Sequence, residues 1–329
     1  MDNLTVYYNL FEMSRNLTCK DIFYYNSTFI SILVCMFSLT IVVGAIFNIF
    51  AIAVVISKKS MHHSVHLYTT NMAISDTMYL LLFQPFNAIK VYQYGCWQFG
   101  ELFGKIYWSF GYMNSVVSIL TLTALTIDKY YAIWKPMRWR INSNWNTKCI
   151  ILIIWIYAFS IAIPRFIYSK EIRITEKVAF ILEIVDKMYY FWIWDMFLVI
   201  LQLLTIIILN IRMISLVYLR IGNLETMVNG GQTSNTHKRV VKTVMYLTVA
   251  FLMCTSPGYI IFIIFRFGKK TELSYFSINL AVFAQYLFVI QAMINPLIYS
   301  TATHEYKKSV LWIIEVIQKR LSYRIESQE

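Results

Sequence analysis

Seven stretches of the chain are long, apolar and almost free of acids: residues 28–57, 66–90, 102–127, 147–168, 188–219, 241–265 and 274–300. A helix rises about 1.5 Å per residue, so roughly 20 apolar residues cross a hydrocarbon core about 30 Å thick, and each stretch is that long. A charge at the bilayer centre costs about 2.5 to 3.5 kcal/mol on insertion scales, so the two acids inside these runs, Asp76 and Asp195, demand partners. The pattern predicts an all-α membrane protein, a seven-transmembrane helix bundle with its termini on opposite sides.

The segments between the runs are short and hold no soluble domain. Residues 1–27 form a polar N-terminal segment, 28–300 the bundle and 301–329 a tail. In that tail His304, Glu305, Tyr306, Lys307 and Lys308 lead into Val310, Leu311, Ile313, Ile314, Val316 and Ile317, which reads as an amphipathic helix on the inner membrane surface. Asn229 to Asn235 read as a flexible turn between the fifth and sixth spans. Residues 1–28 carry Asp2, Glu12, Arg15, Lys20 and Asp21 in place of an apolar signal core, so the first span is expected to act as its own insertion signal.

Orientation follows from two independent patterns. Asn3, Asn16 and Asn26 each head a glycosylation sequon before the first span, which places the N-terminus outside. Lys58, Lys59, Lys135, Arg138, Arg140, Lys148, Arg220, Lys238, Arg239, Lys242, Lys307 and Lys308 fall on the opposite, inner side, although the outer loops also carry several basic residues. A multi-pass protein of the plasma membrane is expected, with membrane lipids as partners.

Composition then removes other classes. With 58% hydrophobic and only 14% charged residues, the chain is too apolar for a soluble domain. The net charge of +12 sits in short clusters beside the spans and makes no continuous basic face, which argues against nucleic acid as a partner. A transporter should show an internal repeat, and none is evident between the halves. An enzyme needs convergent nucleophile, base or metal ligands, but His62, His63, His66, His237 and His304 lie at span ends and in inner loops without that spacing.

Motifs then stand in order across six spans: Asn48; Asn71-Met72-Ala73-Ile74-Ser75-Asp76; Asp128-Lys129-Tyr130; Trp155; Phe251 with Cys254-Thr255-Ser256-Pro257; and Asn295-Pro296-Leu297-Ile298-Tyr299. This order resembles the rhodopsin-like G-protein-coupled receptors. Leu81 to Gly100, with Pro85 and Trp97-Gln98-Phe99-Gly100, is similar to the galanin and allatostatin neuropeptide receptors.

The resemblance implies a receptor that binds an extracellular ligand and activates a heterotrimeric G protein. It makes Asp128, Lys129, Tyr130, Pro257, Asn295, Pro296 and Tyr299 the coupling and switch residues. Pro257 and Pro296 each lack an N–H and kink their spans where a helix can change shape. It makes Asp76, Ser118 and Asn295, with Asn48, oxygen ligands of a possible sodium ion; a protonated Asp76 bonded to neighbouring helices is the alternative. The pocket candidates it implies are Gln84, Tyr112, Ser115, Trp194, Asp195, Tyr259, Phe262 and Gln285. For the aromatics among them, an anchoring role at the lipid interface is the competing reading. Gly111 stands where amine receptors carry an acid, so a peptide is expected rather than a biogenic amine. Asp195 is expected to meet either a basic ligand group or a neighbour such as Arg165 or Arg266.

The sequence also departs from the family pattern. Gly104 occupies one end of the family's outer disulfide and residues 169–187 contain no Cys, so that bridge is absent. Cys19 and Cys96 are the two outer cysteines; either they pair across the first two spans, pinning the N-terminal segment, or they remain free or intermolecular thiols. Lys129 stands where Arg is usual and loses its planar fork of donors. His237 replaces an acid, Asn210 a Tyr, Thr255 a Trp and Gln202 a Pro. A receptor-like protein that binds ligand without signalling, or that signals constitutively, is therefore the rival expectation.

Overall fold

The computed structural model describes Cys19 and residues 27–58, 61, 63–135, 143–175, 178–224, 231–267 and 275–302. The sequon asparagines Asn3, Asn16 and Asn26 and residues 303–329, where the amphipathic helix is expected, lie outside these. Helix α1 is Ser27–Ser57, α3 Gly100–Trp134, α4 Ser143–Tyr168, α5 Val185–Leu224, α6 Gly231–Phe267 and α7 Tyr275–Ala302. Six of these are long and apolar enough to cross a membrane. The second span, α2, is built from three consecutive pieces: Ser64–Met78, a π-helical turn Tyr79–Phe83, and Gln84–Tyr92.

Pro85 accounts for that break. It cannot donate into the ladder, and the preceding turn widens so that Gln84 N–H reaches the Tyr79 carbonyl five residues back. End to end, residues 64–92 still cross the bilayer, giving seven spans.

The helices close into a ring, α1 against α2 and α7, α5 against α6, and α6 against α7, while α3 runs through the interior and touches α2, α4, α5 and α6. Small residues permit the closest approaches. A Cβ on Gly44 would meet Leu80 Cδ1 at 2.8 Å and Met293 Cβ at 3.2 Å, and one on Gly258 would collide with the Phe288 ring. Outward faces are apolar, as in Leu39, Ile56, Phe159 and Met253, whereas the interior holds buried Asn48, Asn71, Asp76, Asn114, Ser118 and Asn295. Polar groups inside and apolar groups outside is the arrangement that lipid requires.

Two local expectations change. Gly231 to Asn235 belong to α6, which starts about ten residues before its apolar run because intrahelical bonds can continue into water. The segment after α4 is an antiparallel hairpin, β1 Ser169–Thr175 with β2 Val178–Glu183. The hairpin is fastened to the loop between α2 and α3: Trp97 N–H donates to the Ala179 carbonyl at 2.8 Å, and Cys96 packs with Ile174, Val178 and Phe180. Cys96 is bonded to Cys19, with Cα atoms 6.0 Å apart. Cys19, the loop after α2 and the hairpin thus meet at one point.

Candidate functional site

The outer half is organised by one arginine. Arg165, in the last turn of α4, donates through Nη1 to Glu183 Oε1 at 2.7 Å and through Nη2 to Asp195 Oδ2 at 2.8 Å. Glu183 Oε2 accepts from Trp192 Nε1 at 2.8 Å, and the Arg165 guanidinium lies 3.6 Å from the centroid of the Tyr112 ring. All three charged side chains are at least nine-tenths buried. A planar guanidinium serves here because it offers a fork of donors and a face that stacks on an aromatic ring. Ions taken out of water are tolerated only when so well paired. The network therefore fastens the end of β2 to α3, α4 and α5. Of the partners open to Asp195, the structure supplies Arg165; the Arg266 side chain lies outside the described ones.

The middle of the bundle is a ladder of polar side chains. Asn71 donates to Thr121 Oγ1 at 2.9 Å and accepts from Trp155 Nε1 at 2.8 Å, tying α2, α3 and α4. Ser75 donates to Asn114 Oδ1 on α3. Asn295 Nδ2 donates to Asp76 Oδ2 at 2.9 Å, which joins α7 to α2. Asn48 Nδ2 donates to the Gly44 carbonyl and to the Ala292 carbonyl, both at 2.8 Å. Ser118 Oγ and Asn48 Oδ1 are buried without a hydrogen-bond partner. Two orphaned hard oxygens in the same polar core as a buried carboxylate fit a small cation.

At the inner end Asp128 accepts from Ser64 Oγ at 2.9 Å, and Lys129 beside it is buried. Tyr130 stacks on Trp134 at 5.8 Å between centroids. Asn210 on α5 donates to Thr248 Oγ1 on α6 at 3.0 Å, above a cluster of Ile133, Met213, Val217, Val241 and Val244. Thr255 turns back on its own helix, donating to the Phe251 carbonyl at 2.7 Å. Pro257 lies within α6 and Pro296 within α7. The side chains of His237 and Tyr299 lie outside the described ones.

The family model described as 7 transmembrane receptor (rhodopsin family) matches residues 47–299, most of the chain. The chain belongs to this family. It is therefore a G-protein-coupled receptor for an extracellular ligand. Similar proteins include growth hormone secretagogue receptor type 1 of Mustela putorius furo, 26% identical over 301 residues, covering 83% of this chain and 78% of the relative. The Rattus norvegicus protein of the same name is 26% identical over 300 residues, with the same coverage of each chain. G-protein coupled receptor 183 of Bos taurus is 24% identical over 306 residues, covering 88% and 82%. The finer likeness to galanin and allatostatin receptors rests on residues 81–100 alone.

In this receptor the pocket candidates divide. Tyr112 and Asp195 belong to the Arg165 network, and Phe262 meets Trp192 edge-on at 6.0 Å. Tyr259 meets Phe288 edge-on at 6.2 Å, and Ser115 and Gln285 are half-buried. Gln84 is buried and accepts from Asn87 Nδ2 at 3.1 Å, while Asn87 accepts from the Tyr107 hydroxyl at 3.0 Å. Trp194 must be moved out of the pocket. It is 53% exposed beside Phe197 on the lipid face, about 100° around α5 from Asp195, and buried Trp192 takes the inward position. Sequence reasoning missed Glu183 and Trp192, because neither a loop acid nor one Trp among many aromatics carries a periodic signal.

Proposed function

We propose that this receptor recognises a peptide in the outer half of the bundle and passes the signal to a heterotrimeric G protein through the inner ends of α3, α5 and α6. The observation that carries the peptide reading is the fate of the buried acids. Glu183 and Asp195 are both taken by Arg165, and Gly111 leaves open space where a counter-ion would stand. A protonated monoamine finds no free carboxylate on these residues, whereas the amides and hydroxyls of Gln84, Ser115, Tyr259 and Gln285 suit backbone amides and aromatic side chains. The similar receptors named for growth hormone secretagogues support the same direction.

The N-terminal segment with its sequons faces outside, with the hairpin and the Cys19–Cys96 bond over the pocket mouth. Asp76, Ser118, Asn295 and Asn48 would hold a sodium ion as hard oxygen ligands. When bound, the ion supplies a positive charge against the Asp76 carboxylate. Cells expressing the receptor, screened against synthetic peptides with a second-messenger readout, test the main reading. It fails if biogenic amines activate the receptor and no peptide does.

A further inference from the structure

Lys90 lies near the outer end of α2, half-buried, with its ammonium 5.9 Å from the centroid of the Tyr107 ring and 5.4 Å from that of Trp108. The site is preformed: the Tyr107 hydroxyl donates to Asn87 Oδ1 at 3.0 Å and Phe83 stacks on Phe110 at 4.0 Å one turn or more deeper. Lys90 forms no ion pair among the described residues. Among the described residues, the acids on this side of the bundle are engaged elsewhere, Glu101 with Lys105, Glu171 with Arg173, and Glu183 and Asp195 with Arg165.

A partly desolvated ammonium gains something from aromatic faces, yet among the described residues its three N–H donors meet no carboxylate. The ammonium does not turn to lipid headgroups. The lipid-facing residues of this segment are Ile89, 40% exposed, and Tyr92, 64% exposed, while Lys90 shares the α3-facing side with Phe83 and Asn87. We propose that Lys90, framed by Tyr107 and Trp108, anchors a carboxylate of the activating ligand. The assignment rests on the peptide reading and adds to it that the peptide presents a carboxylate, either at its C-terminus or on an Asp or Glu side chain, to the α2–α3 edge of the mouth.

Two measurements test this, and the first stands apart from the peptide reading. Purified full-length receptor is reductively 13C-methylated on its lysines, the Lys90 signal is assigned by its loss in Lys90→Arg, and N-acetylphenylalanine and its amide are titrated in turn. The Lys90 signal should shift saturably with the acid and not with the amide. No shift with the acid, or equal shifts with both, overturns the assignment whether or not any peptide activates the receptor.

The second uses cells matched for surface receptor and a synthetic peptide library made as free acids, as C-terminal amides, and with Asp and Glu replaced by Asn and Gln. Active peptides should lose about tenfold or more in potency on Lys90→Gln, as expected for a lost charge-assisted hydrogen bond, and regain part of it on Lys90→Arg. Removing the responsible carboxylate should cost as much on wild type and nothing further on Lys90→Gln; which chemical change does so names its source. Equal potency on wild type and Lys90→Gln overturns the assignment. A wild-type receptor silent to every peptide sinks the peptide reading, and the titration then decides Lys90.

Discussion

Asn48 donates its side-chain amide to the carbonyl of Ala292, 2.8 Å away, and that is the carbonyl Pro296 would have reached had it an N–H. The acceptor that Pro296 leaves open in α7 is thus satisfied from α1, which ties the first and last spans together at that turn. Asn48→Leu should leave the Ala292 carbonyl buried and unpaired at a cost of about 1 to 3 kcal/mol. Thermal unfolding of the purified receptor in detergent should show a lowered midpoint; an unchanged one would mean that water already serves that carbonyl.

The Arg165 network predicts an order of damage. Arg165→Met strands two buried carboxylates, Glu183→Gln leaves the arginine with Asp195, and Asp195→Asn leaves it with Glu183. Breaking a buried pair by removing one partner costs about 3 to 5 kcal/mol, so Arg165→Met should reduce surface expression most. If Asp195→Asn instead abolished peptide binding at normal expression and stability, Asp195 would be a ligand contact first and a structural ion second.

The seven spans and the polar residues Asn48, Asp76 and Asn295 were legible in the sequence, because hydrocarbon tolerates neither charges nor unpaired backbone. What escaped has a physical reason. In lipid the outer face of a helix is as apolar as its inner face, so periodicity gives no phase, and Trp192 could not be told from Trp194. Arg165 was open as a partner of Asp195, because a buried acid demands a cation, but its second partner Glu183 comes from a loop whose approach the pattern along the chain does not encode. The π-turn before Pro85 was not anticipated, because an apolar run reads as one continuous span and does not say how the preceding turn absorbs the missing N–H.

The bond between Cys19 and Cys96 closes a separation of 77 residues, which in the chain-entropy account restrains the unfolded chain by about 4 to 5 kcal/mol. Non-reducing peptide mapping should recover the two cysteines as one linked peptide. Cys96→Ser should lower thermal stability and also loosen the hairpin, seen as faster hydrogen exchange over residues 169–183. Separately alkylated Cys19 and Cys96 in folded surface receptor would contradict this.

Sodium binding should appear as a salt-specific stabilisation. With ionic strength held constant, replacing potassium by sodium should raise the unfolding midpoint of wild type and leave Asp76→Asn unmoved, since that change removes the one carboxylate of the proposed ligand set. Equal sodium effects on both proteins would leave Asp76 as a hydrogen-bonded structural residue paired with Asn295.

An inner end built from Lys129 in place of arginine, with Asp128 held by Ser64 and Asn210 by Thr248, should still drive a G protein. Because lysine lacks the bidentate fork, the resting state should be loosely restrained. The direct measurement is nucleotide exchange on purified heterotrimers of each Gα class by the receptor in lipid nanodiscs, without ligand and with peptides active in the cellular screen. We expect measurable exchange without ligand, a further rise with peptide, and lower unstimulated exchange in Lys129→Arg at equal receptor density. No exchange above the empty-nanodisc level on any Gα class, with or without peptide, would contradict the account and leave a binding protein that does not signal.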